Sequence, residues 1–328
     1  MVIRRLSAAL SAIASLVVLP RHAEPPTHGT VLVERFFAPS LGVTKHYLVY
    51  VPPSYPTEPQ RRYPVAYYLH GLSGSESDWE SLAGIDVIAD SLLARGMAEM
   101  ILVMPDGDDG WYTNWVTPRT YEECASGAGR NRAPPTFCVK TPRYDDYIAG
   151  DVVRHIDSTY RTMADRRHRG IAGLSMGGYG AVVLALGHPD LFAAAASHSG
   201  VLSPLLKGPH PFAMPAQYLA SIDSLEAAWG GVWPSVAPAF GTTIASWEAR
   251  DPTHRVRSLK ANGDSIPALF FDVGTEDGLA DQSRAFHAEL TSMGIAHRYA
   301  EWPGKHDWNY WHAHVGESMR WLADRIRP

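Results

Sequence analysis

A serine flanked by glycines lies near the middle of the chain, in Gly173-Leu174-Ser175-Met176-Gly177. The residues directly before this stretch, 169–172, predict a short buried strand, and the proline-free Ala/Val/Leu-rich run 179–186 predicts a helix. Small residues around Ser175 permit a sharp turn between strand and helix that holds the hydroxyl exposed. A serine held in this way can attack a carbonyl carbon, so the stretch predicts a nucleophile for ester chemistry.

Two turns farther along the chain contain the acid and the base that such a serine needs. A serine hydroxyl is a poor nucleophile at neutral pH and requires a base within hydrogen-bond reach, oriented by a carboxylate. Asp277 follows the predicted buried strand 266–273, and His306 follows the predicted strand 297–301. Because each residue lies just past a strand, we expect Ser175, Asp277 and His306 to converge at one edge of the sheet.

The acid has competitors nearby in the sequence. Asp272 falls within the predicted strand and Asp281 within the predicted helix 279–293, which leaves the adjacent pair Glu276 and Asp277 in the turn. Their positions favour Asp277, and Glu276 stays open as the alternative.

Three other histidines are expected to have structural roles. His312 and His314 belong to the predicted final helix 310–326, where we expect them to pack or to face solvent. His70 ends the buried run 64–69, and we expect its ring to order the turn that follows.

That turn, His70-Gly71-Leu72-Ser73-Gly74, contributes to a predicted oxyanion site. The tetrahedral intermediate of ester cleavage carries a negative oxygen, which main-chain N–H groups stabilise. The predicted donors are the amides of Leu72 and Met176, because small neighbouring residues let the substrate approach both of them.

Strands and helices alternate along the chain, which predicts a mostly parallel sheet with helices on both faces. The segments 30–37 and 44–51 alternate apolar and polar residues and predict an antiparallel hairpin at the sheet edge. Further buried strands are predicted at 64–69, 100–104, 169–172, 192–197, 266–273 and 297–301, and helices at 81–96, 144–160, 179–186, 279–293 and 310–326.

Two irregular regions interrupt this alternation, and both could shape a substrate site. Residues 108–142 leave the carboxyl end of a strand and are expected to form a wall of the cleft, the alternative being a disulfide-pinned surface loop. Residues 203–262 are rich in proline and are expected to form a cap inserted over the site. Trp111, Trp115 and Trp308 are candidate substrate contacts.

The first 23 residues predict an export signal, because Arg4 and Arg5 precede the short uncharged run 6–19. Cleavage is expected near Ala23, and the run is too short for a stable membrane span. The predicted location is therefore secreted or periplasmic, and residues 24–328 are predicted to form a single catalytic domain.

The chain has only two cysteines, Cys124 and Cys138, which we expect to form a disulfide in an oxidising compartment. The alternative is two free thiols or a pair of former metal ligands. Loss of the signal would lower the formal net charge from −5 to −8, which argues against a nucleic-acid partner. No histidine pair has carboxylates at metal-ligand spacing, so we expect neither a catalytic metal nor a cofactor.

Five motifs in order, at 70–74, 111–115, 173–180, 274–277 and 304–308, resemble those of the putative-esterase family of α/β-hydrolases. That family includes S-formylglutathione hydrolases, feruloyl esterases, enterochelin esterases and mycolyltransferases, and the resemblance spans about residues 30–326. It implies the α/β-hydrolase fold, with a mostly parallel central sheet flanked by helices.

The same resemblance implies a role for each motif residue. It makes Ser175 the nucleophile, Asp277 the acid and His306 the base, with the amides of Leu72 and Met176 as the oxyanion hole. It does not select a substrate.

The first hypothesis is a secreted serine carboxylesterase that acts on a small-molecule or glycan-linked ester, with a short-chain or aromatic acyl group as in feruloyl esterases. An acyltransferase would use the same acyl-enzyme with an alcohol in place of water. An S-formylglutathione hydrolase is a further alternative, although the export signal counts against a cytosolic enzyme. A non-catalytic binding module on the same scaffold is the fourth possibility.

Overall fold

An eight-stranded sheet runs through the structure, a computed structural model that describes residues 26–117, 139 and 141–328. The predicted export signal and the predicted bridge between Cys124 and Cys138 lie outside these residues. The strands of the sheet are β1 (Thr30–Ala38), β2 (Val43–Val51), β3 (Val65–Leu69), β4 (Ile101–Pro105), β5 (Arg169–Leu174), β6 (Ala194–His198), β9 (Ala268–Gly274) and β10 (His297–Trp302), and two short strands, β7 (Leu206–Gly208) and β8 (Gln217–Tyr218), pair separately.

The spatial order of the large sheet is β1-β2-β4-β3-β5-β6-β9-β10. Strand β2 is antiparallel to both of its neighbours, whereas the other adjacent strands of this sheet are parallel. The mostly parallel sheet that the sequence predicts is thereby confirmed. The predicted hairpin is confirmed as well, because β1 and β2 pair from Thr30 opposite Val51 to Ala38 opposite Val43, with β1 at the edge.

The central strands are buried on both faces, as continuous apolar runs require. Every residue of β3, β4, β5 and β6 is buried. Helices cover both faces of such a sheet, so strands of this kind lack the polar alternation of a half-exposed strand. Arg169 opens β5 and is buried as well, where its guanidinium lies 2.7 Å from the Asp157 carboxylate.

Most predicted helices occur close to their predicted positions. The exception is the run 81–96, which is divided into α1 (Asp78–Ser81) and α2 (Ile85–Leu93) because Gly84 between them adopts a left-handed conformation, with φ of 60°. The remaining helices are α3 (Tyr144–Asp146), α4 (Val153–Thr159), α5 (Met176–Gly187), α6 (Ile222–Trp229), α7 (Trp233–Phe240), α8 (Ile244–Glu248), α9 (Pro252–Asn262), α10 (Ala280–Ser292) and α11 (Trp308–Ile326), and a π-helical turn, Tyr147–Val152, joins α3 to α4.

The region 203–262 folds into β7, β8 and the four helices α6 to α9. Its aromatic side chains pack on the rest of the protein. The Trp111 ring makes edge contacts with the rings of Trp229 and Phe240, with centroids 5.6 Å apart in both pairs. Trp247 is buried against Phe240, at a centroid distance of 4.8 Å. None of the helices in the described part of the chain is long and apolar enough to cross a membrane.

Candidate active site

Ser175 lies in a strained turn between β5 and α5. Its φ of 52° and ψ of −118° are unusual for a residue with a side chain, and such strain persists only where surrounding structure holds it. The flanking glycines make the turn possible. A Cβ on Gly173 would lie 2.2 Å from the carbonyl oxygen of Gly177, and a Cβ on Gly177 would lie 2.2 Å from the carbonyl oxygen of Leu69. The close passage of three backbone segments therefore explains the spacing of the motif.

The imidazole of His306 connects Ser175 to a buried carboxylate. Its Nε2 lies 2.9 Å from Ser175 Oγ, and its Nδ1 lies 2.9 Å from Oδ2 and 3.1 Å from Oδ1 of Asp277. An Nδ1–H that donates to the carboxylate leaves Nε2 free to accept the serine proton. The arrangement can thus activate the hydroxyl.

Asp277 is the acid in contact with the imidazole, whereas Glu276 is not. The Glu276 side chain is 63% exposed, and its carboxylate lies 3.9 Å from the Lys305 ammonium group. Burial of Asp277 opposes its ionisation, but hydrogen bonds from His306 and from the Leu279 amide outweigh burial and lower the pKa of Asp277 below its ordinary value. Asp277 is therefore a carboxylate at neutral pH.

Strand pairing brings the acid turn and the base turn together. In the parallel pair of β9 and β10, Trp302 lies opposite Gly274 at the carboxyl ends of both strands. The Thr275 amide donates to the Trp302 carbonyl at 2.8 Å, and the Glu276 amide donates to the Gly304 carbonyl at 2.9 Å. These backbone bonds place Asp277 and His306 side by side although they belong to separate turns.

The two amides that the sequence predicts as oxyanion donors flank Ser175. Met176 is the first residue of α5, and the first N–H groups of a helix have no acceptor within it. Gly71 packs against the serine, since a Cβ on Gly71 would lie 3.5 Å from the Ser175 Cβ. Within the described residues, the Leu72 amide has no hydrogen-bond acceptor. Leu72 and Met176 both line the cavity beside Ser175, and their role as oxyanion donors stays a prediction.

The other histidines that the sequence singled out lie in structural positions. The Nδ1–H of His70 donates to the Gly71 carbonyl at 2.8 Å, and its Nε2 accepts from the Gly107 amide at 2.9 Å. The His312 Nδ1–H donates to the Ala83 carbonyl at 2.7 Å. None of these three contacts involves Ser175.

A cavity of about 900 Å³ opens beside Ser175. Its walls come from two sources, the core of the sheet domain and the region 203–262. Polar side chains, among them Lys207, His210 and Gln282, line part of the cavity together with apolar ones. The larger apolar side chains on the wall are Leu72, Trp111, Leu206, Leu219, Trp229 and Trp308.

Two of the three candidate tryptophans border this cavity. Trp111 and Trp308 line it, whereas Trp115 does not. The Trp115 indole N–H instead donates to the Gly110 carbonyl at 3.0 Å, and its ring packs against Tyr144. Trp115 is therefore not among the residues that line the cavity, and its contact with substrate stays a prediction.

Sequence reasoning missed several residues of the site. Ser199 helps to lower the pKa of Asp277, and its hydroxyl accepts a hydrogen bond from the Trp311 indole N–H at 3.3 Å. Trp229 lines the cavity, whereas Trp247 from the same region is fully buried elsewhere. The position of Ser199 after the end of β6 was a usable signal, but nothing in the sequence distinguishes Trp229 from Trp247. The described residues contain no group of three or more His, Cys, Asp or Glu side chains arranged for a metal ion.

Comparison with known proteins identifies the family. Residues 38–322 match the model of the family described as Putative esterase. Esterase Rv1288 of Mycobacterium tuberculosis (strain H37Rv) is 31% identical over 284 residues, which cover 83% of this chain and 54% of the relative. The chain thus spans about half the length of that relative. The acetyl esterase of Caldicellulosiruptor saccharolyticus is 23% identical over 258 residues, 78% of this chain and 82% of that enzyme.

Solved structures agree on the fold. A ferulic acid esterase superimposes with a TM-score of 0.66 at 24% identity and covers 90% of this chain and 98% of its own. An S-formylglutathione hydrolase from Agrobacterium tumefaciens superimposes with a TM-score of 0.66 at 18% identity, over 92% of this chain and 96% of its own. The chain belongs to the Putative esterase family, and its architecture is that of the α/β-hydrolase esterases.

Proposed function

We propose that this member of an esterase family is a serine carboxylesterase that forms an acyl-enzyme on Ser175. The observation that carries the proposal is the continuous hydrogen-bonded chain from Ser175 Oγ through the His306 ring to the Asp277 carboxylate, with 2.9 Å at each step. Nucleophile, base and orienting acid are the three groups that this chemistry requires.

In the proposed first half-reaction, Ser175 Oγ attacks the ester carbonyl carbon while its proton passes to His306 Nε2. The carbonyl oxygen becomes an oxyanion that accepts hydrogen bonds from the amides of Leu72 and Met176. The imidazolium then protonates the departing alcohol oxygen as the tetrahedral intermediate collapses. The acyl group is left on Ser175, and the alcohol is the first product.

In the second half-reaction, a water molecule attacks the acyl-enzyme and gives its proton to His306 Nε2. Collapse releases the carboxylic acid and returns the proton to Ser175. Asp277, ionised because its pKa is lowered, stabilises the imidazolium that forms in both halves. An alcohol in the place of water would make the same machinery an acyltransferase.

The cavity supports an ester whose acyl group is short or aromatic. Its apolar walls include the Trp111 and Trp229 rings, and its volume of about 900 Å³ accommodates more than an acetyl group. Secretion or export to the periplasm is part of the proposal and rests on the character of residues 1–23.

The test is turnover by the purified protein on a panel of acetyl and butyryl aryl esters, methyl ferulate, a feruloylated oligosaccharide and S-formylglutathione. We expect an oxygen ester to be preferred, with Ser175→Ala lowering kcat/KM by about 10⁴-fold or more at an unchanged melting temperature. Ser175→Ala with wild-type turnover would contradict the proposal. Dominant acyl transfer to added glycerol or sugar would favour the acyltransferase, and dominant thioester cleavage would favour the S-formylglutathione hydrolase.

A further inference from the structure

A buried lysine lies between two buried carboxylates beneath the turn that carries the Leu72 amide. The Nζ of Lys45, on β2, is 2.9 Å from Oδ2 of Asp106 and 2.8 Å from Oδ1 of Asp108. Lys45 is 0% exposed, and neither aspartate exceeds 5%. Burial alone lowers the pKa of Lys45, but the two carboxylates outweigh it and raise that pKa above its ordinary value. Lys45 is therefore a cation in the core.

The two carboxylates belong to the turn 106–112, which is bonded to the oxyanion turn 70–74. The Gly107 amide donates to Nε2 of His70, and the His70 Nδ1–H donates to the carbonyl of the next residue. The Ser73 amide donates to Asp109 Oδ1 at 2.6 Å. Leu72 thus lies between His70 and Ser73, both of which are hydrogen-bonded to the turn 106–112.

Both turns contain strained backbone. Ser73, Asp108, Trp111 and Tyr112 are non-glycine residues with positive φ, of 66°, 47°, 55° and 48°. Residues keep such strained conformations only where contacts with the surrounding structure hold them in place, and residues of this kind cluster at functional sites. The Tyr112 hydroxyl supplies one of these contacts, since it donates to the carbonyl of His70 at 3.0 Å.

Lys45 Nζ contacts the carboxylates of two residues in the turn 106–112. The Asp108 amide donates to Asp106 Oδ1 at 3.0 Å, which draws the two aspartates together. Burial raises the pKa of Asp108 to about 7, Asp106 adds to the rise, and the Lys45 ammonium group opposes it. Removal of one partner from a buried ionic cluster is strongly unfavourable, so loss of Lys45 would leave two acidic groups in one buried site without their cation.

We propose that Lys45 is a positioning residue for the oxyanion site: by neutralising Asp106 and Asp108 it holds the turn 106–112, which fixes the Leu72 amide relative to Ser175. This inference rests on the proposed esterase function. Lys45 is fully buried and does not line the cavity, so it acts through Asp106, Asp108 and His70. The same turn carries Trp111, so one buried cation sets both an oxyanion donor and part of the cavity wall.

The test compares Lys45→Met with Arg169→Met in the full chain. Arg169 is a matched control, because it is also a buried cation paired with a carboxylate, but it lies at the start of β5, at the end away from Ser175. For each variant we would measure the melting temperature, kcat and KM on an aryl ester. We would also measure the affinity for a trifluoromethyl ketone, which forms an oxyanion on the serine, and for a non-reactive amide analogue.

We expect Lys45→Met to lower kcat by about 100-fold, the effect of a displacement of the order of 1 Å at a reacting centre. The affinity for the trifluoromethyl ketone should fall by the same factor, while KM and the amide affinity change by less than about 3-fold, since the amide forms no oxyanion. Arg169→Met should have a lower melting temperature than the wild-type protein, but its kcat and its affinity for the ketone should stay within about 3-fold of the wild-type values. Wild-type kcat in Lys45→Met, or equal losses in both variants, would overturn the inference.

Asp109→Ala provides a second route if Lys45→Met does not fold. Asp109 is partly exposed, and its loss removes the bond to the Ser73 amide while it leaves the buried cluster in place. We expect kcat and ketone affinity to fall together by about 10-fold. Wild-type values for Asp109→Ala would then overturn the inference. If wild-type protein cleaves esters and Ser175→Ala does not, the proposed function stands even where the role of Lys45 fails.

Discussion

Ser175 Oγ and His306 Nε2 lie 2.9 Å apart although the two residues are 131 positions apart in the chain. The sheet order explains the contact, because β5, β6, β9 and β10 are consecutive parallel neighbours whose carboxyl ends meet at one edge. Ser175 follows β5, Asp277 follows β9 and His306 follows β10. Ligand sites of open α/β sheets lie at that edge. Strand order therefore brings the three side chains together.

Replacement of each carboxylate in the acid turn distinguishes the two candidates. We expect Asp277→Asn to lower kcat/KM by about 10⁴-fold, because an amide cannot stabilise the imidazolium and favours the wrong tautomer. Glu276→Gln is the matched control, and since the Glu276 side chain faces solvent it should change kcat/KM by less than about 2-fold. Steady-state kinetics on one aryl ester decides between them. A large loss in Glu276→Gln with activity retained in Asp277→Asn would reverse the assignment.

Gly177, two positions after the serine, is not expected to tolerate substitution by alanine. A Cβ at Gly177 would meet the backbone oxygens of Leu69 and His70 at 2.2 and 2.5 Å, so Gly177→Ala should lower the free energy of unfolding by about 2–3 kcal/mol. Gly231→Ala is the control, because a Cβ there meets nothing within 4 Å. Urea unfolding measures both. Equal stabilities of the two variants would show that the turn can relax.

Val232 is expected to influence which esters enter the cavity. It lines the cavity and is 36% exposed, so Val232→Trp should narrow the cavity at little cost in stability. We predict that the ratio of kcat/KM for methyl ferulate to that for an acetyl ester falls by about 10-fold or more. The control is Val87→Trp, at a position that is 66% exposed on α2, outside the residues that line the cavity. If Val232→Trp leaves the ratio of the two kcat/KM values unchanged, the part of the cavity near Val232 does not determine which acyl groups are accepted.

A histidine at the carboxyl end of α5 is expected to make stability depend on pH. A hydrogen bond to Asp145, 2.6 Å away, raises the pKa of His188, and the charges of Asp145 and Asp190 add to the rise. Burial and the nearby Arg255 lower that pKa, but by less. A histidine whose pKa is higher in the folded state stabilises the fold at pH values below its unfolded-state pKa of about 6.5. This stabilisation is lost as the pH rises through the folded-state pKa. His188→Gln should therefore reduce the free energy of unfolding more at about pH 5.5 than at about pH 9.

The control for that prediction is His46→Gln, an exposed histidine without an ion-pair partner among the described residues. Comparison of the two variants at each pH separates the effect of the Asp145 contact from that of a general change of histidine to glutamine. A loss in His188→Gln that is equal at both pH values, or larger at the alkaline one, would contradict the sign of the coupling.

Much of the architecture could be predicted because buried parallel strands have an unmistakable pattern. The runs at β3 and β4 are uniformly apolar, and the alternation at β1 and β2 is typical of an edge hairpin. The break at Gly84 was missed, because a single glycine within an amphipathic run does not show whether its backbone turns left-handed.

The site residues that follow the ends of strands could be predicted from the sequence. The residues whose positions depend on side-chain packing could not. Ser175, Asp277 and His306 each follow a strand, so topology alone suggests that they meet. Trp111 and Trp115 are four residues apart in one loop, yet Trp111 lines the cavity and Trp115 does not. Distinctions of this kind arise from tertiary contacts that sequence spacing does not contain.

The buried cluster around Lys45 shows the same limit. In the sequence, Lys45 is one charged residue in the predicted strand 44–51, and nothing near it in the chain indicates carboxylates that would pair with it. The structure buries it because the Asp106 and Asp108 carboxylates lie against its ammonium group.

The central claim is that Ser175 carries the acyl group, and the most direct test is mass spectrometry of the protein quenched with acid during turnover of an aryl ester. We predict a mass increase equal to the acyl group, located by peptide mapping on the peptide that contains Ser175 and absent from Ser175→Ala. His306→Ala should accumulate the adduct far more slowly. An adduct on another residue, or turnover at the wild-type rate by Ser175→Ala, would contradict the account.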